Sequence, residues 1–180
     1  MRKLSPSKLI TYGAMCAALT VLSLYAASVL PTMKIACMFL SSVFIYVLAS
    51  ESAFVAAILT FAASAAISFM IIPDKMYAAI YVALIGHYGI FRAFITGRTG
   101  DRILEFCLRM LYCNVFTGAA ILVAIGWLSY DFAATIAGFD LPVWALIVIL
   151  EASFAAFDVL HFICQKFYNE RIRPYLVPRR

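Results

Sequence analysis

The chain has 180 residues, of which 66% are apolar and only 13% are charged. A soluble domain usually carries about 45–50% apolar and about 25% charged residues, so this sequence has too few polar side chains to cover a water-soluble globule. Six long apolar runs, each close to the ~20 residues that cross a bilayer as a helix, occupy most of it. The composition predicts an all-α, polytopic membrane protein: a compact six-transmembrane-helix bundle that forms a single integral membrane domain over residues 1–180. It excludes an ATPase domain, a sensor domain or a nucleic-acid reader within these residues.

The predicted helices follow one another with short connections. They lie at about 9–29, 35–49, 52–72, 76–95, 103–128 and 141–165. Pro31 ends the first helix, and residues 73–75 form a tight bend before the fourth. A polar, glycine-rich loop at 96–101 precedes the fifth helix. No hairpin repeats the pattern of another, so the sequence predicts no internal repeat.

Basic residues lie mostly at one end of the predicted bundle. The N-terminus, the 50–52 turn, the 92–109 region and the C-terminal tail share one side of the membrane and carry 12 of the 14 Lys and Arg residues. These are Arg2, Lys3, Lys8, Arg92, Arg98, Arg102, Arg109, Lys166, Arg171, Arg173, Arg179 and Arg180. The opposite side carries only Lys34 and Lys75. Because cytoplasmic segments are enriched in Lys and Arg, both termini are predicted to be cytoplasmic, and six spans also require them to share a side.

Ionisable residues inside the predicted helices cost at least about 2.5–3.5 kcal/mol at the helix centre, so each one indicates a specific role. Five of them fall at a similar depth toward the cytoplasm: Arg92, Glu105, Arg109, Asp158 and His161. The first interpretation is a structural ion-pair layer, since Glu105 and Arg109 are spaced i,i+4 and can pair. A proton relay through the same residues is the alternative interpretation.

Other polar and aromatic residues are candidate ligand contacts. His87 and Glu151 lie too deep in the predicted helices to reach the interface, and Asn114 lies inside the fifth helix. Each of the deep ionisable residues either lines a polar cavity or is a satisfied structural group. Tyr77 and Tyr81 share one stripe near the external end of the fourth helix. An interfacial aromatic belt is the first interpretation of these rings, and a ring-stacking pocket open to the outside is the second.

No pattern indicates an enzyme, a metal site or a cofactor. The sequence has no Gly-x-Ser-x-Gly, His-Glu-x-x-His or Cys-x-x-Cys motif, and the 97–100 loop lacks the spacing and the lysine of a phosphate loop. The five cysteines lie in apolar runs without paired spacing and are predicted to be buried hydrophobic residues. The sequence therefore predicts a non-enzyme that binds no metal, no cofactor and no nucleic acid.

Ala14 and Ala18 lie near the cytoplasmic end of the first helix, and small residues four apart let helices approach closely. With the basic N-terminus and six compact helices in 180 residues, this element makes the chain resemble the substrate-binding S-components of energy-coupling factor (ECF) vitamin transporters. The resemblance covers the whole chain in architecture. It implies a multi-pass protein of the cell membrane that captures a vitamin-like micronutrient from outside. It also implies docking on a transmembrane coupling subunit driven by two ATPases.

The resemblance also implies roles for particular residues. In that family an Ala-x-x-x-Ala element of the first helix packs against the coupling subunit, which assigns partner docking to Ala14 and Ala18. The family's ligand pocket lies in the external half, between helices four to six and the loop after helix one. Together with the deep polar residues, the candidate ligand set becomes Lys34, Lys75, Tyr77, Tyr81, His87, Asn114, Trp144 and Glu151. No residue pattern assigns the vitamin.

Two other classes of function fit the same sequence. One is a six-span structural membrane protein of the MreD-like cell-shape type, which would need no ligand motif. The other is a small membrane enzyme or proton-coupled carrier that uses His87, Glu151 and Asp158.

Overall fold

The computed structural model of the protein describes residues 6–51, 53–96, 98, 100–128 and 142–176, and every regular element in these ranges is helical. The α-helices are α1 (Pro6–Val29), α2 (Lys34–Ser50), α3 (Phe54–Ile71), α4 (Lys75–Ile80), α5 (Tyr88–Ile95), α6 (Arg102–Leu128), α7 (Val143–Phe167) and α8 (Arg173–Leu176). A π-helical turn at Tyr81–Ile85 lies between α4 and α5, and a second at Tyr168–Ile172 joins α7 to α8. The predicted all-α class is confirmed, and all six predicted helices are present.

The sixth predicted helix differs most from the structure. Residue 141, where it was predicted to begin, lies outside the described ranges, and α7 begins at Val143. The helical backbone then continues beyond the predicted end at residue 165, through the second π-helical turn to Leu176. Glu51 holds this extension, since its Oε1 accepts hydrogen bonds from the Tyr168 hydroxyl (3.2 Å) and from Arg173 Nε (2.8 Å).

Five stretches in the described part of the chain are long and apolar enough to cross a membrane. They are Ser7–Val29, Phe54–Ile71, Lys75–Ile95, Arg102–Gly126 and Trp144–Ile172. α2 is a shorter apolar helix of 17 residues, about 25 Å long against a hydrocarbon core of about 30 Å. The chain therefore forms a helical membrane bundle in which α2 matches the bilayer thickness least well.

The core of the bundle surrounds α2, in which eight of 17 residues are buried. Small polar side chains lie at its contacts with neighbouring helices. Thr20 of α1 donates a hydrogen bond to the carbonyl of Ser41 (3.3 Å), and Ser42 donates to the carbonyl of Ile85 (2.9 Å). These side chains are small enough to let the helices approach closely, and their bonds satisfy hydroxyl groups that lie out of reach of water.

α6 and α7 lie at the periphery of this core. Within their most apolar stretches, only 6% of the residues of α6 and 11% of those of α7 are buried, against 33% in α1. Hydrogen bonds and ring contacts join α7 and its extension to the core between Phe157 and Arg173. Nearer its start, α7 pairs with α6 through Glu151 and Asn114. Among the described residues, these contacts fix α7 to the core at one end.

The first π-helical turn places Tyr81 inside the bundle. Its fully buried ring packs on Phe61, and its hydroxyl lies 2.8 Å from Ser64 Oγ. The amide of Gly86 donates to the carbonyl of Tyr81 (2.7 Å), and a Cβ at Gly86 would lie 2.5 Å from the Phe61 ring and 2.7 Å from the Tyr81 ring. The wider turn and the glycine together make room for the two rings.

Gly89 marks a close approach of α5 to α2. A Cβ at this position would lie 2.9 Å from Tyr46 Cβ and 3.0 Å from the carbonyl oxygen of Ser42. Both neighbours belong to or adjoin the α2 backbone, so they cannot move aside without moving the helix.

We expect Gly89→Ala to lower the free energy of unfolding by about 1–3 kcal/mol, because the added methyl group overpacks the contact between α5 and α2. Gly118→Ala is the matched control, since nothing lies within 4 Å of its Cβ position. There alanine should be neutral or stabilise by up to about 1 kcal/mol through helix propensity. Circular-dichroism melting in detergent measures both variants, and equal effects would contradict the close packing at Gly89.

Candidate functional site

Four charged side chains meet inside the bundle, on α5, α6 and α7. Asp158 is central: Arg109 Nη1 lies 3.0 Å from its Oδ2, while Arg92 Nη1 contacts its Oδ1 and donates to its main-chain carbonyl at 2.7 Å. Arg109 also pairs with Glu105 one helical turn away, with Nη2 and Oε2 2.9 Å apart. We call these four residues the buried ionic cluster, because their side chains are only 2–11% exposed. Two guanidinium and two carboxylate groups give the cluster no net charge, which reduces the penalty of burial.

Two tyrosines complete the surroundings of this cluster. The Tyr88 hydroxyl donates to Asp158 Oδ1 at 2.7 Å, and the Arg92 guanidinium carbon lies 5.8 Å from the centre of the Tyr46 ring. The sequence analysis assigned neither tyrosine to the ion-pair layer. Tyr88 precedes Arg92 by four residues and lies on the same helix face, so this spacing could have indicated that Tyr88 belongs to the ion-pair layer. Tyr46 comes from α2 through tertiary packing, which no local spacing predicts.

His161 lies beside the buried ionic cluster and forms no ion pair with a described carboxylate. Its Nε2 lies 3.2 Å from Ser42 Oγ, and its Nδ1 lies 3.0 Å from the carbonyl oxygen of Phe157. The fully buried ring also meets Phe39 edge-on, with centroids 4.8 Å apart. His161 therefore fixes α7 against α2 through hydrogen bonding and ring packing.

The geometry of the buried ionic cluster favours a structural role over a proton relay. Asp158 is 5% exposed and accepts hydrogen bonds from Tyr88, Arg92 and Arg109. A relay needs a carboxyl group that exchanges protons with water, whereas this carboxylate is bound between two guanidinium groups. The Nε atoms of both arginines are buried and have no hydrogen-bond partner among the described residues. Arg92 is therefore bound in the bundle through Nη1, and Arg109 is bound through Nη1 and Nη2.

Four candidate ligand residues lie at the end of the bundle away from the ionic cluster. Lys34 Nζ lies 5.7 Å from the centre of the Tyr77 ring. This contact joins the start of α2 to α4. Lys75 Nζ donates to the carbonyl of Ile72 at 2.8 Å and so caps the end of α3. Trp144 is largely exposed near the start of α7. The structure therefore joins Lys34 to Tyr77 and uses Lys75 in a helix cap.

Tyr81 and His87 are both engaged inside the bundle. Tyr81 is fully buried against Phe61 and Ser64 whereas Tyr77 is only half-buried, so the two rings do not form one accessible stripe. His87 Nδ1 lies 2.9 Å from the Tyr112 hydroxyl, and its Nε2 lies 2.9 Å from the carbonyl oxygen of Ala83. Both ring nitrogens of His87 therefore have partners within the protein.

Asn114 and Glu151 form a separate polar pair between α6 and α7. Asn114 Nδ2 donates to Glu151 Oε1 at 2.7 Å and to the carbonyl of Met110 at 3.1 Å. Glu151 lies eight residues, or about 12 Å, from the first residue of α7, a depth close to the bilayer middle. Asn114 is exposed and Glu151 is half-buried. This pair is the most exposed polar site among the deep candidates, because His87 and Asp158 are bonded inside the bundle.

The two predicted docking residues, Ala14 and Ala18, are exposed on α1. An apolar groove of about 450 Å³ runs between α1 and α3 beside them. Its lining includes Leu9, Gly13 and Ala14 from α1 and Val55, Leu59 and Ala63 from α3. Ala14 therefore lies in the groove.

Among the described residues, no group of three or more His, Cys, Asp and Glu side chains could hold a metal ion. The five cysteines are free thiols.

Comparisons with known proteins add no assignment. No protein-family model, no curated protein and no solved structure matches the chain.

We expect Asp158→Asn to lower the free energy of unfolding by about 3–5 kcal/mol, because it leaves two buried guanidinium groups with too little negative charge. Glu151→Gln is the matched control: it neutralises a half-buried carboxylate on the same helix, and it should not lower stability because the glutamine oxygen can still accept the hydrogen bond from Asn114. Unfolding by SDS in mixed micelles measures the difference.

The double variant Asp158→Asn with Arg92→Gln should recover part of the loss, since it removes one charge of each sign. Equal losses for Asp158→Asn and Glu151→Gln would contradict the anchoring role of Asp158.

Proposed function

We propose that the protein is a substrate-binding membrane subunit, similar to the S-components of ECF transporters. In this role it captures a vitamin-like micronutrient from outside for ATP-driven uptake by a separate energising module. The observation that carries the proposal is the Asn114–Glu151 pair, an accessible carboxylate and amide near bilayer mid-depth. Polar residues at such a depth mark ligand or ion pathways in membrane proteins. The proposed activity is binding, without catalysis and without a cofactor.

The chemistry of the pair indicates the kind of ligand that it would bind. Glu151 offers carboxylate lone pairs, and Asn114 offers an amide oxygen that no described residue engages. A small molecule with hydrogen-bond donors suits these acceptors. The Lys34–Tyr77 contact supplies a cation and a ring face nearer the proposed outer surface, where an incoming heteroaromatic compound could stack.

The proposed energising module consists of a transmembrane coupling subunit and two ATPases. α1 exposes Ala14 and Ala18, and small residues at these positions let a partner helix approach α1 closely. The groove between α1 and α3 extends the same apolar surface. This surface supports docking of the coupling subunit on α1.

A structural membrane protein of the MreD-like type is the second candidate function. The buried ionic cluster supports it, because the neutral network of Arg92, Glu105, Arg109 and Asp158 makes a rigid joint without any ligand. A proton-coupled carrier or a membrane enzyme working through Asp158 has less support, since three donors already bind that carboxylate.

The proposed location is the cell membrane, with several spans and with both termini in the cytoplasm. We expect Thr99→Cys, in a background whose native cysteines are replaced by serine, to resist a membrane-impermeant maleimide in intact cells. It should react after permeabilisation. Asp131→Cys should react in intact cells, because it precedes the sixth helix on the side that carries few basic residues. The reverse labelling pattern would contradict the orientation and the external ligand site.

The binding function predicts that a small molecule co-purifies with the protein and is identified by mass spectrometry. Glu151→Gln should then lower the affinity for that molecule at least about tenfold, which corresponds to ~1.4 kcal/mol, because a charge-assisted hydrogen bond is lost. Ser153→Ala is the matched control on the same helix, since the Ser153 hydroxyl donates to the carbonyl of Ile149 at 2.7 Å. Isothermal titration calorimetry with purified protein measures both variants. Unchanged affinity in Glu151→Gln would exclude the Asn114–Glu151 pair as the binding site.

A further inference from the structure

The described chain carries exposed cations at the end of the bundle beyond the buried ionic cluster. They are Lys8, Arg98, Arg102, Lys166 and Arg171. The exposed carboxylates of Asp101 and Glu170 accompany them, so positive charge dominates this end. The local excess of positive charge is a physical property of the surface, whichever function the protein has.

Three of these cations lie near the ends of neighbouring helices. The buried ionic cluster fixes α5, α6 and α7 side by side. Arg102 lies seven residues from Arg109 along α6, and Lys166 lies eight residues from Asp158 along α7, which is about 10–12 Å in each case. Arg98 follows the end of α5 by three residues. We call Arg98, Arg102 and Lys166 the basic corner.

The side chain of Arg98 is held at the edge of the apolar surface. Its guanidinium carbon lies 3.9 Å from the centre of the Phe94 ring, and its amide donates to the carbonyl of Ile95 at 3.0 Å. Phe94 is 48% exposed, so the stacked guanidinium lies where a lipid-facing ring meets the headgroup region. No described carboxylate forms an ion pair with any cation of the basic corner.

Large apolar side chains on the same helices flank the basic corner. Ile103 and Phe106 of α6 and Ile163 and Phe167 of α7 are all exposed. A phospholipid places its phosphate at the headgroup level and its acyl chains below it, so cations above apolar side chains match both of its parts. At the other end of the bundle, Lys75 caps α3 and Lys34 contacts the Tyr77 ring.

We propose that the basic corner binds the phosphate of an anionic phospholipid of the phosphatidylglycerol type. The acyl chains of this lipid lie along the exposed apolar side chains of α6 and α7. The bound lipid bridges the ends of α5, α6 and α7, at the end of the bundle beyond the buried ionic cluster. This inference is independent of the proposed transport function.

The test measures which lipids the full-length protein retains. We expect the wild-type protein, reconstituted in nanodiscs with equal amounts of phosphatidylglycerol and phosphatidylcholine and then extracted, to carry predominantly phosphatidylglycerol in native mass spectrometry. Each cation of the basic corner that lies close to the lipid phosphate contributes about fivefold to the affinity. The triple variant Arg98→Gln, Arg102→Gln and Lys166→Gln should therefore lose at least about tenfold of the preference. High salt should weaken the preference of the wild-type protein through screening.

The charge-matched control is the triple variant Lys8→Gln, Lys34→Gln and Lys75→Gln, which removes three cations outside the basic corner and should keep the preference within about twofold. An equal loss in both triple variants, or no preference in the wild-type protein, would overturn the proposal. Displacement of the lipid by soluble glycerol phosphate would also overturn it, because the site would then recognise free phosphate. If the first triple variant fails to fold by circular dichroism, Arg98→Gln and Lys166→Gln alone should each reduce the preference about fivefold.

Discussion

Asp158 is the carboxylate on which the packing of three helices depends. It accepts hydrogen bonds from Arg92 on α5 and from Arg109 on α6, so one side chain of α7 is bound to two other helices. Each of these charges alone would cost several kcal/mol in the low-dielectric interior, and only the neutral combination with Glu105 makes their burial tolerable. Asp158 also fixes the register of α7, because a shift by one turn would move its carboxylate about 5.4 Å away from both guanidinium groups.

The same register positions the features from which function is inferred. With Asp158 bound to Arg109, the antiparallel course of α6 and α7 brings Glu151 opposite Asn114 near the bilayer middle. In the other direction it brings Lys166 to the level of the first turn of α6. The Asp158–Arg109 pair therefore positions both the candidate ligand site and the basic corner. The two sites lie on opposite sides of this pair along the axes of α6 and α7.

The helices themselves were predictable because lipid imposes a simple rule: a long apolar run must satisfy its backbone as a helix. The i,i+4 spacing of Glu105 and Arg109 likewise indicated a pair that the structure contains. Two features depended on contacts between remote segments. Tyr81 is buried against Phe61 and Ser64 of α3 whereas Tyr77 is only half-buried, and apolar periodicity within one helix carries no signal for that contact. The extension beyond α7 depends on Glu51, which lies in the turn between α2 and α3 and more than a hundred residues earlier in the sequence.

The distance along the chain between Arg109 and Asp158 has a consequence for biogenesis. Asp158 emerges from the ribosome 49 residues after Arg109, which at about 5–20 residues per second means a delay of roughly 2–10 s. During this interval α5 and α6 carry two guanidinium groups into the membrane before their main carboxylate exists. Such a hairpin is poorly soluble in lipid until α7 arrives. The insertion machinery therefore has to shelter the nascent α5 and α6 until α7 supplies Asp158.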